Sequence, residues 1–150
     1  VKALLEHVAH PADLFGSDEA VARIVEEALR FDAPLHMFTR YAAFDMELES
    51  ASGPIALKKG EKIGLLLGAA NRDPSSFSGP DLFNPDRPDQ KNVSFGAGIH
   101  FCIGAPLARL ELQVSLKTLF QRLPGLRLAS PPRYRDSYHF HGLERLDLSW

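Results

Sequence analysis

The spacing of apolar residues along the chain predicts helices at both ends and short strands and turns between them. Val21, Ile24, Val25, Ala28 and Leu29 fall at i, i+3, i+4, i+7 and i+8, one buried face of an α-helix. Ser17 is suited to cap that helix, Asp18 and Glu19 lie against its positive end, and Pro34 closes it. Ahead of it, Val1 to Val8 reads as a short helix tail stopped at Pro11. Behind it, Tyr41 to Leu48 and Pro54 to Leu57 suit strands. Lys58-Lys59-Gly60-Glu61 is a tight turn into a further strand over Lys62 to Leu67, with Gly60 taking a positive φ. Gly64 to Ala70 is the longest unbroken apolar run and is expected to be fully buried.

Residues 71–94 have no periodicity, and Pro74, Pro80, Pro85 and Pro88 forbid a long helix there. Phe77, Leu82 and Phe83 offer apolar anchors, so the segment reads as an ordered, packed meander. Pro106 suits the first turn of a second long helix. Leu107, Leu110, Val114, Leu116, Leu119, Phe120 and Leu123 are expected to form its buried stripe, and Pro124-Gly125 ends it. Leu126/Leu128 and Leu146/Leu148/Trp150 alternate as strands around a loop or hairpin tip at Pro131 to Gly142.

Composition narrows the possible classes. With 150 residues, 45% hydrophobic and 24% charged, the chain is neither a disordered tail nor a disulfide scaffold. The Gly64–Ala70 run is far too short to span a bilayer, and no basic-apolar leader opens the chain, so a cytoplasmic location is expected. A net charge of -2 gives no bias toward nucleic acid or an anionic membrane. One cysteine, Cys102, excludes an intrachain disulfide and any multi-cysteine metal site. His36, His139 and His141 lack metal-ligand spacing and are not assigned to a metal.

The chemistry concentrates in Phe95-Gly96-Ala97-Gly98-Ile99-His100-Phe101-Cys102-Ile103-Gly104, directly before the Pro106 helix. Cys102 lies ahead of a helix N-terminus, whose partial positive charge and unpaired N–H groups suit an anionic sulfur. Gly96, Gly98 and Gly104 permit sharp turns and a close approach of the main chain to a flat ligand. A thiolate held this way is what a haem iron needs as axial ligand, and Phe95 and Phe101 could shield the sulfur beneath a porphyrin.

This segment resembles the cysteine-ligand loop of the cytochrome P450 family. Ala105-Pro106-Leu107-Ala108-Arg109 looks like its soluble bacterial branch. Two more segments follow in the family's order: Glu27-Ala28-Leu29-Arg30 and Phe83-Asn84-Pro85-Asp86-Arg87. By itself, a Glu and an Arg at i and i+3, off the apolar stripe, make an exposed pair of about 0.2–0.5 kcal/mol. In the family such a pair is joined by an Arg from the meander, which here is Arg87.

The resemblance implies the α+β, mainly α, fold of the C-terminal part of a cytochrome P450, with residues 1–150 as the haem-thiolate portion of a larger single domain begun before Val1. It implies haem b as cofactor, Cys102 as iron ligand, and Arg40 and His100 as propionate partners. Phe95, Gly96, Gly104 and Ala108 would complete the cofactor contacts. Glu27, Arg30 and Arg87 would form the structural network. Leu35, His36, Met37, Phe38, His139 and Phe140 would face the substrate, and an exposed Arg109 the redox partner.

The implied activity is a monooxygenase inserting one oxygen atom of dioxygen into a small organic substrate. Its electrons would come from a ferredoxin- or flavodoxin-type protein. The oxygen-activating residues are expected upstream of Val1, so the 150-residue chain alone is expected to be inactive and to expose apolar patches. Two alternatives stay open: a non-catalytic truncated remnant that binds haem weakly or serves as an interaction module, and a haem-thiolate enzyme that uses or isomerises peroxides.

Overall fold

Leu4, Phe15, Val21, Ile24, Val25, Leu29, Leu116, Phe120 and Leu126 close into one apolar core in the computed structural model, which describes residues 1–88 and 91–150. Two helices carry most of it, α2 (Asp18–Phe31) and α4 (Ala105–Arg122). The Ser17 side chain accepts the Ala20 N–H at 3.2 Å, satisfying one of the donors that every helix start leaves open. Phe15 and Phe120 stack at 5.0 Å between ring centroids and tie the chain before α2 to the end of α4. The short helix α1 (Lys2–His7) adds Leu4, and Pro11 opens a 3₁₀ turn over Pro11–Leu14 rather than only ending what precedes it.

The strands form four separate two-stranded antiparallel ribbons. β1 (Met37–Tyr41) pairs with β4 (Lys62–Leu66), and β2 (Met46–Leu48) with β3 (Ile55–Leu57). Tyr41–Leu48, expected as one strand, is therefore two, broken where Ala42 turns inward and bonds Glu61 and Gly60. The Lys58–Glu61 turn does place Gly60 at φ +89°, but it redirects the chain between ribbons rather than closing a hairpin. After β4 comes one helical turn, α3 (Leu67–Ala70). Near the C-terminus, β5 (Arg127–Leu128) pairs with β8 (Leu148–Ser149). β6 (Arg133–Tyr134) pairs with β7 (Leu143–Arg145), so of the loop or hairpin tip expected at 131–142 it is the hairpin that forms, with its first strand inside that range.

Two burial expectations fail. The Gly64–Ala70 run buries only Leu67; Leu65 and Leu66 are 40% and 57% exposed. A two-stranded ribbon has two faces, and here the core covers too little of either. On α4, Leu116 and Phe120 are buried while Leu107, Leu110 and Val114 are exposed. The core-facing stripe runs instead through Leu112, Leu116, Leu119, Phe120 and Leu123, at i, i+4, i+7, i+8 and i+11. The other apolar residues occupy a second face of the same helix. Among the described residues, no helix is long and apolar enough to cross a membrane.

Candidate haem-thiolate site

The irregular segment after α3 is ordered by charge. Glu27 and Arg30 project from α2 away from the apolar core, and both side chains are fully buried. Arg30 donates to Glu27 through two parallel bonds, Nε to Oε2 at 2.7 Å and Nη2 to Oε1 at 2.8 Å. Arg87 approaches the same carboxylate at 3.3 Å through Nε. The Asn84 N–H adds a fourth donor, to Oε1 at 2.8 Å. Burial opposes charge on Glu27, but Arg30, the Asn84 N–H and Arg87 outweigh it and hold the carboxyl below its ordinary range. The pair, which taken by itself reads as exposed, is the centre of a buried network with Arg87, because residues 71–88 fold over it.

The two guanidinium groups also bond the meander backbone. Arg30 donates to the carbonyls of Asn71, Pro80 and Leu82, and Arg87 to those of Ser78, Gly79 and Leu82. Phe77 packs beneath the Arg30 guanidinium at 5.3 Å, and Phe83 joins the core edge. Leu82, expected as an anchor, is 68% exposed, and its carbonyl rather than its side chain does the anchoring.

Sequence reasoning missed two residues here. Asn71 is fully buried; its Oδ1 accepts the Val93 N–H and its Nδ2 donates to Ser94 Oγ, each at 2.8 Å. Ser94, also buried, donates to the Leu29 carbonyl at 2.6 Å. The signal was present in outline: a short amide following an apolar run, and a hydroxyl directly before the Phe95 loop.

Beyond Ser94 the chain forms the cysteine loop. Gly96 donates to the Val93 carbonyl at 2.8 Å and takes φ +74°, and Gly98 takes φ +63°, conformations strained for any residue with a Cβ. A 3₁₀ turn over Gly98–His100 carries His100 outward, exposed. Cys102 returns to the start of the loop, its N–H donating to the Phe95 carbonyl at 2.9 Å, and its side chain is exposed. Gly104 caps α4, and a Cβ on it would lie 3.8 Å from Cys102 Sγ. Ala108 is half-buried one turn into α4.

These features suit the group that the loop's residue pattern implies. A soft sulfur donor stands clear of the protein surface, on backbone that a flat macrocycle can approach, and no buried side-chain polar atom among the described residues lacks a partner. Phe95 is half-buried with the Arg109 guanidinium 4.8 Å above its ring, while Phe101 is 49% exposed. Arg109 itself was expected to be exposed and available. It is held instead by Glu26, at 2.5 Å from Nε to Oε1 and 3.1 Å from Nη2 to Oε2.

A model of the family described as Cytochrome P450 matches residues 19–126. The chain belongs to the cytochrome P450 family. The biotin biosynthesis cytochrome P450 of Bacillus subtilis (strain 168) is 40% identical over 151 aligned positions, covering 100% of this chain and 37% of that protein. The polyketide biosynthesis cytochrome P450 PksS of the same organism is also 40% identical, over 98% of the chain and 36% of its own length. Among solved structures, P450BioI in complex with an acyl carrier protein ligated to hexadec-9Z-enoic acid superposes with a TM-score of 0.90 at 41% identity, over 99% of this chain and 38% of that one. The ligand-free CYP164A2 of Mycobacterium smegmatis gives the same TM-score at 37% identity, covering 98% of this chain and 37% of its own. The chain therefore spans a little over a third of the length of the cytochrome P450 proteins it matches.

The remaining predicted site residues fall into two groups. Arg40 is the fourth residue of β1; Nη1 donates to the Thr39 carbonyl at 2.9 Å and the guanidinium lies over Phe38. Leu35–Phe38 and His139–Phe140, far apart in sequence, meet: Leu35 and Phe140 form an antiparallel bridge. The His36 N–H donates to the His139 carbonyl at 2.9 Å, and the His141 N–H to the Pro34 carbonyl at 3.0 Å. His36 and Tyr134 each stack on the ring of His141, which bonds Asp32 at 3.1 Å. Burial pushes His141 below the ordinary histidine range, against the attraction of Asp32.

Proposed function

We propose that this chain forms the cysteine side of the haem pocket of a monooxygenase that places one oxygen atom of dioxygen into a small organic substrate. The observation that carries the proposal is Cys102, exposed on a glycine-turned loop at the head of α4 and backed by the buried Glu27–Arg30–Arg87 network. Bound haem b supplies the oxygen chemistry and the Cys102 thiolate supplies electron density to it. Gly96, Gly98 and Gly104 leave room for the ring, with Phe95 and Ala108 on the sulfur side. Arg40, on β1, and His100, on the exposed 3₁₀ turn, hold the two propionates.

The ends brought together at the Leu35–Phe140 bridge form the substrate wall. Leu35, Met37, Phe38 and Phe140 favour an apolar substrate body, with His36 and His139 as its polar members. The enzyme works in the cytoplasm and takes electrons from a ferredoxin- or flavodoxin-type donor docking on the Cys102 side. Arg109 contributes there after releasing part of its bond to Glu26, which lowers its value as a free charge.

The test is spectroscopic. The haem-loaded protein, reduced under carbon monoxide, shows the red-shifted absorption of thiolate-ligated iron, and Cys102→Ser abolishes it. A Cys102→Ser protein with unchanged spectrum and haem content refutes the ligand assignment.

A further inference from the structure

The buried network and the cysteine loop are joined by Asn71 and Ser94. Asn71 uses its backbone and side chain in four directions. Its N–H donates to the Leu67 carbonyl at 3.0 Å, and its carbonyl accepts Arg30 Nη1 at 2.8 Å. Its side chain grips both Val93, through the N–H, and Ser94, through the hydroxyl. Ser94 Oγ passes the contact on to the Leu29 carbonyl of α2. Val93 and Ser94 are thus clamped between α2 and the end of α3, and Phe95 follows them onto the edge of the core.

That short strut is where the loop closes on itself. The Val93 carbonyl accepts the Gly96 N–H at 2.8 Å, and the Phe95 carbonyl accepts the Cys102 N–H at 2.9 Å. Between those bonds the loop packs on little else: Ile99 is 97% and Phe101 49% exposed, and Ile103, just after Cys102, is 99% exposed. Side-chain packing therefore does not fix the height and tilt of Cys102. Two backbone bonds do: the Cys102 carbonyl accepts the Ala105 N–H at 3.1 Å at the head of α4, and the Cys102 N–H meets the Phe95 carbonyl on the strut that Asn71 holds.

We propose that Asn71, acting through Ser94, is a positioning residue for the Cys102 sulfur: it holds the Phe95 carbonyl where the Cys102 N–H must meet it, and so holds the sulfur in its iron-binding pose. The proposal rests on Cys102 being the iron ligand. An apolar side chain of similar size would fill the same space, but it would release the Val93 N–H and leave the Ser94 hydroxyl with only its bond to the Leu29 carbonyl. The strut would then seek other partners, and the loop would move with it.

The experiment uses the haem-loaded protein and compares Asn71→Ala, Ser94→Ala, Ser94→Thr and, as a control of similar depth away from the loop and the network, Phe120→Leu. Two readouts are taken: amide hydrogen exchange at Gly96 and Cys102, and the fraction of reduced, carbon monoxide-bound protein with the thiolate spectrum. Asn71→Ala and Ser94→Ala are expected to raise exchange at both amides at least tenfold and to lower the thiolate fraction several-fold. Ser94→Thr, which keeps the hydroxyl, retains both properties of the parent, as does Phe120→Leu.

If Asn71→Ala fails to fold, the Ser94 pair decides alone. Unchanged exchange and spectrum in Ser94→Ala overturn the proposal. So does a Phe120→Leu variant that loses the thiolate spectrum equally, because the effect would then be general destabilisation. A parent protein with no thiolate spectrum overturns the ligand assignment instead, a result the exchange readout keeps distinct.

Discussion

Removing the carboxylate of Glu27 should be among the most damaging single changes in the molecule. Its side chain and that of Arg30 are fully buried and that of Arg87 is 5% exposed, so one carboxylate offsets two guanidinium charges out of water. Glu27→Ala strands both cations and deprives the Asn84 N–H of its acceptor. Breaking a buried pair from one side costs about 3–5 kcal/mol, whereas an exposed helix pair of the same residues would cost a tenth of that. Total stabilities of about 5–15 kcal/mol make such a loss close to unfolding.

Arg87→Ala should cost less, about 1–3 kcal/mol, because the shorter two-bond Glu27–Arg30 pair survives, while the longer Arg87–Glu27 contacts and the Arg87 bonds to three carbonyls are lost. Urea titration followed by far-ultraviolet circular dichroism measures both. A Glu27→Ala protein within 1 kcal/mol of the parent, or an Arg87→Ala protein less stable than Glu27→Ala, would refute the assignment of Glu27 as the network's centre.

Other expectations can be checked on the same footing. His141 is held below its ordinary value near 6.5, so the unfolded chain takes up its proton first as pH falls. Its contribution to stability is complete above 6.5 and is lost below it; the urea midpoint should therefore fall between pH 8 and pH 5, and His141→Gln should flatten that fall. Equal slopes in the two proteins would contradict this. Glu27 acts in the same sense at lower pH, its stabilisation being present above about 4.5 and lost beneath it. Gly96→Ala forces a Cβ into φ +74° and should cost about 1–2 kcal/mol, while Gly104→Ala, at φ -81°, should leave stability within about 0.5 kcal/mol. Thermal melts of the two variants decide, and equal losses would place the strain elsewhere.

Local sequence made the helices legible because their cues are local: a Ser17 cap, a five-residue apolar face, and Pro106 in a first turn. The meander was legible as an ordered segment but not in its workings. No period in residues 71–94 announces that Arg30 and Arg87 bond its carbonyls, since those bonds span up to 52 positions. Burial was misjudged where a second face matters. Leu107, Leu110 and Val114 look like core residues by type, yet they lie off the stripe that meets α2. Arg109 was misjudged for a related reason, because its partner Glu26 sits 83 residues earlier. The Cys102 loop was legible as chemistry because its glycines, cysteine and following proline are contiguous, whereas the residues that hold it, Asn71 and Ser94, are not.

The network also explains why the molecule keeps charges where apolar side chains would pack. Replacing a buried ion cluster with apolar residues of similar volume is often neutral or stabilising by about 1–4 kcal/mol, because desolvation is avoided. Here the arginines have a second task. The carbonyls of Asn71, Ser78, Pro80 and Leu82 accept from Arg30 and Arg87, in a stretch where no described strand or helix supplies them a donor, and that of Gly79 accepts Arg87 besides the Leu82 N–H. Apolar residues can fill the volume, but they donate nothing, and a buried carbonyl left without a donor costs about 1–3 kcal/mol. The triple variant Glu27→Met, Arg30→Met, Arg87→Met should therefore be no more stable than Glu27→Ala, even though it strands no charge. Its meander amides, followed by hydrogen exchange from residue 78 to residue 87, should lose protection ahead of the α2 and α4 amides. A triple variant as stable as the parent, with the meander still protected, would mean that packing alone orders this segment and that the arginines serve only to balance Glu27.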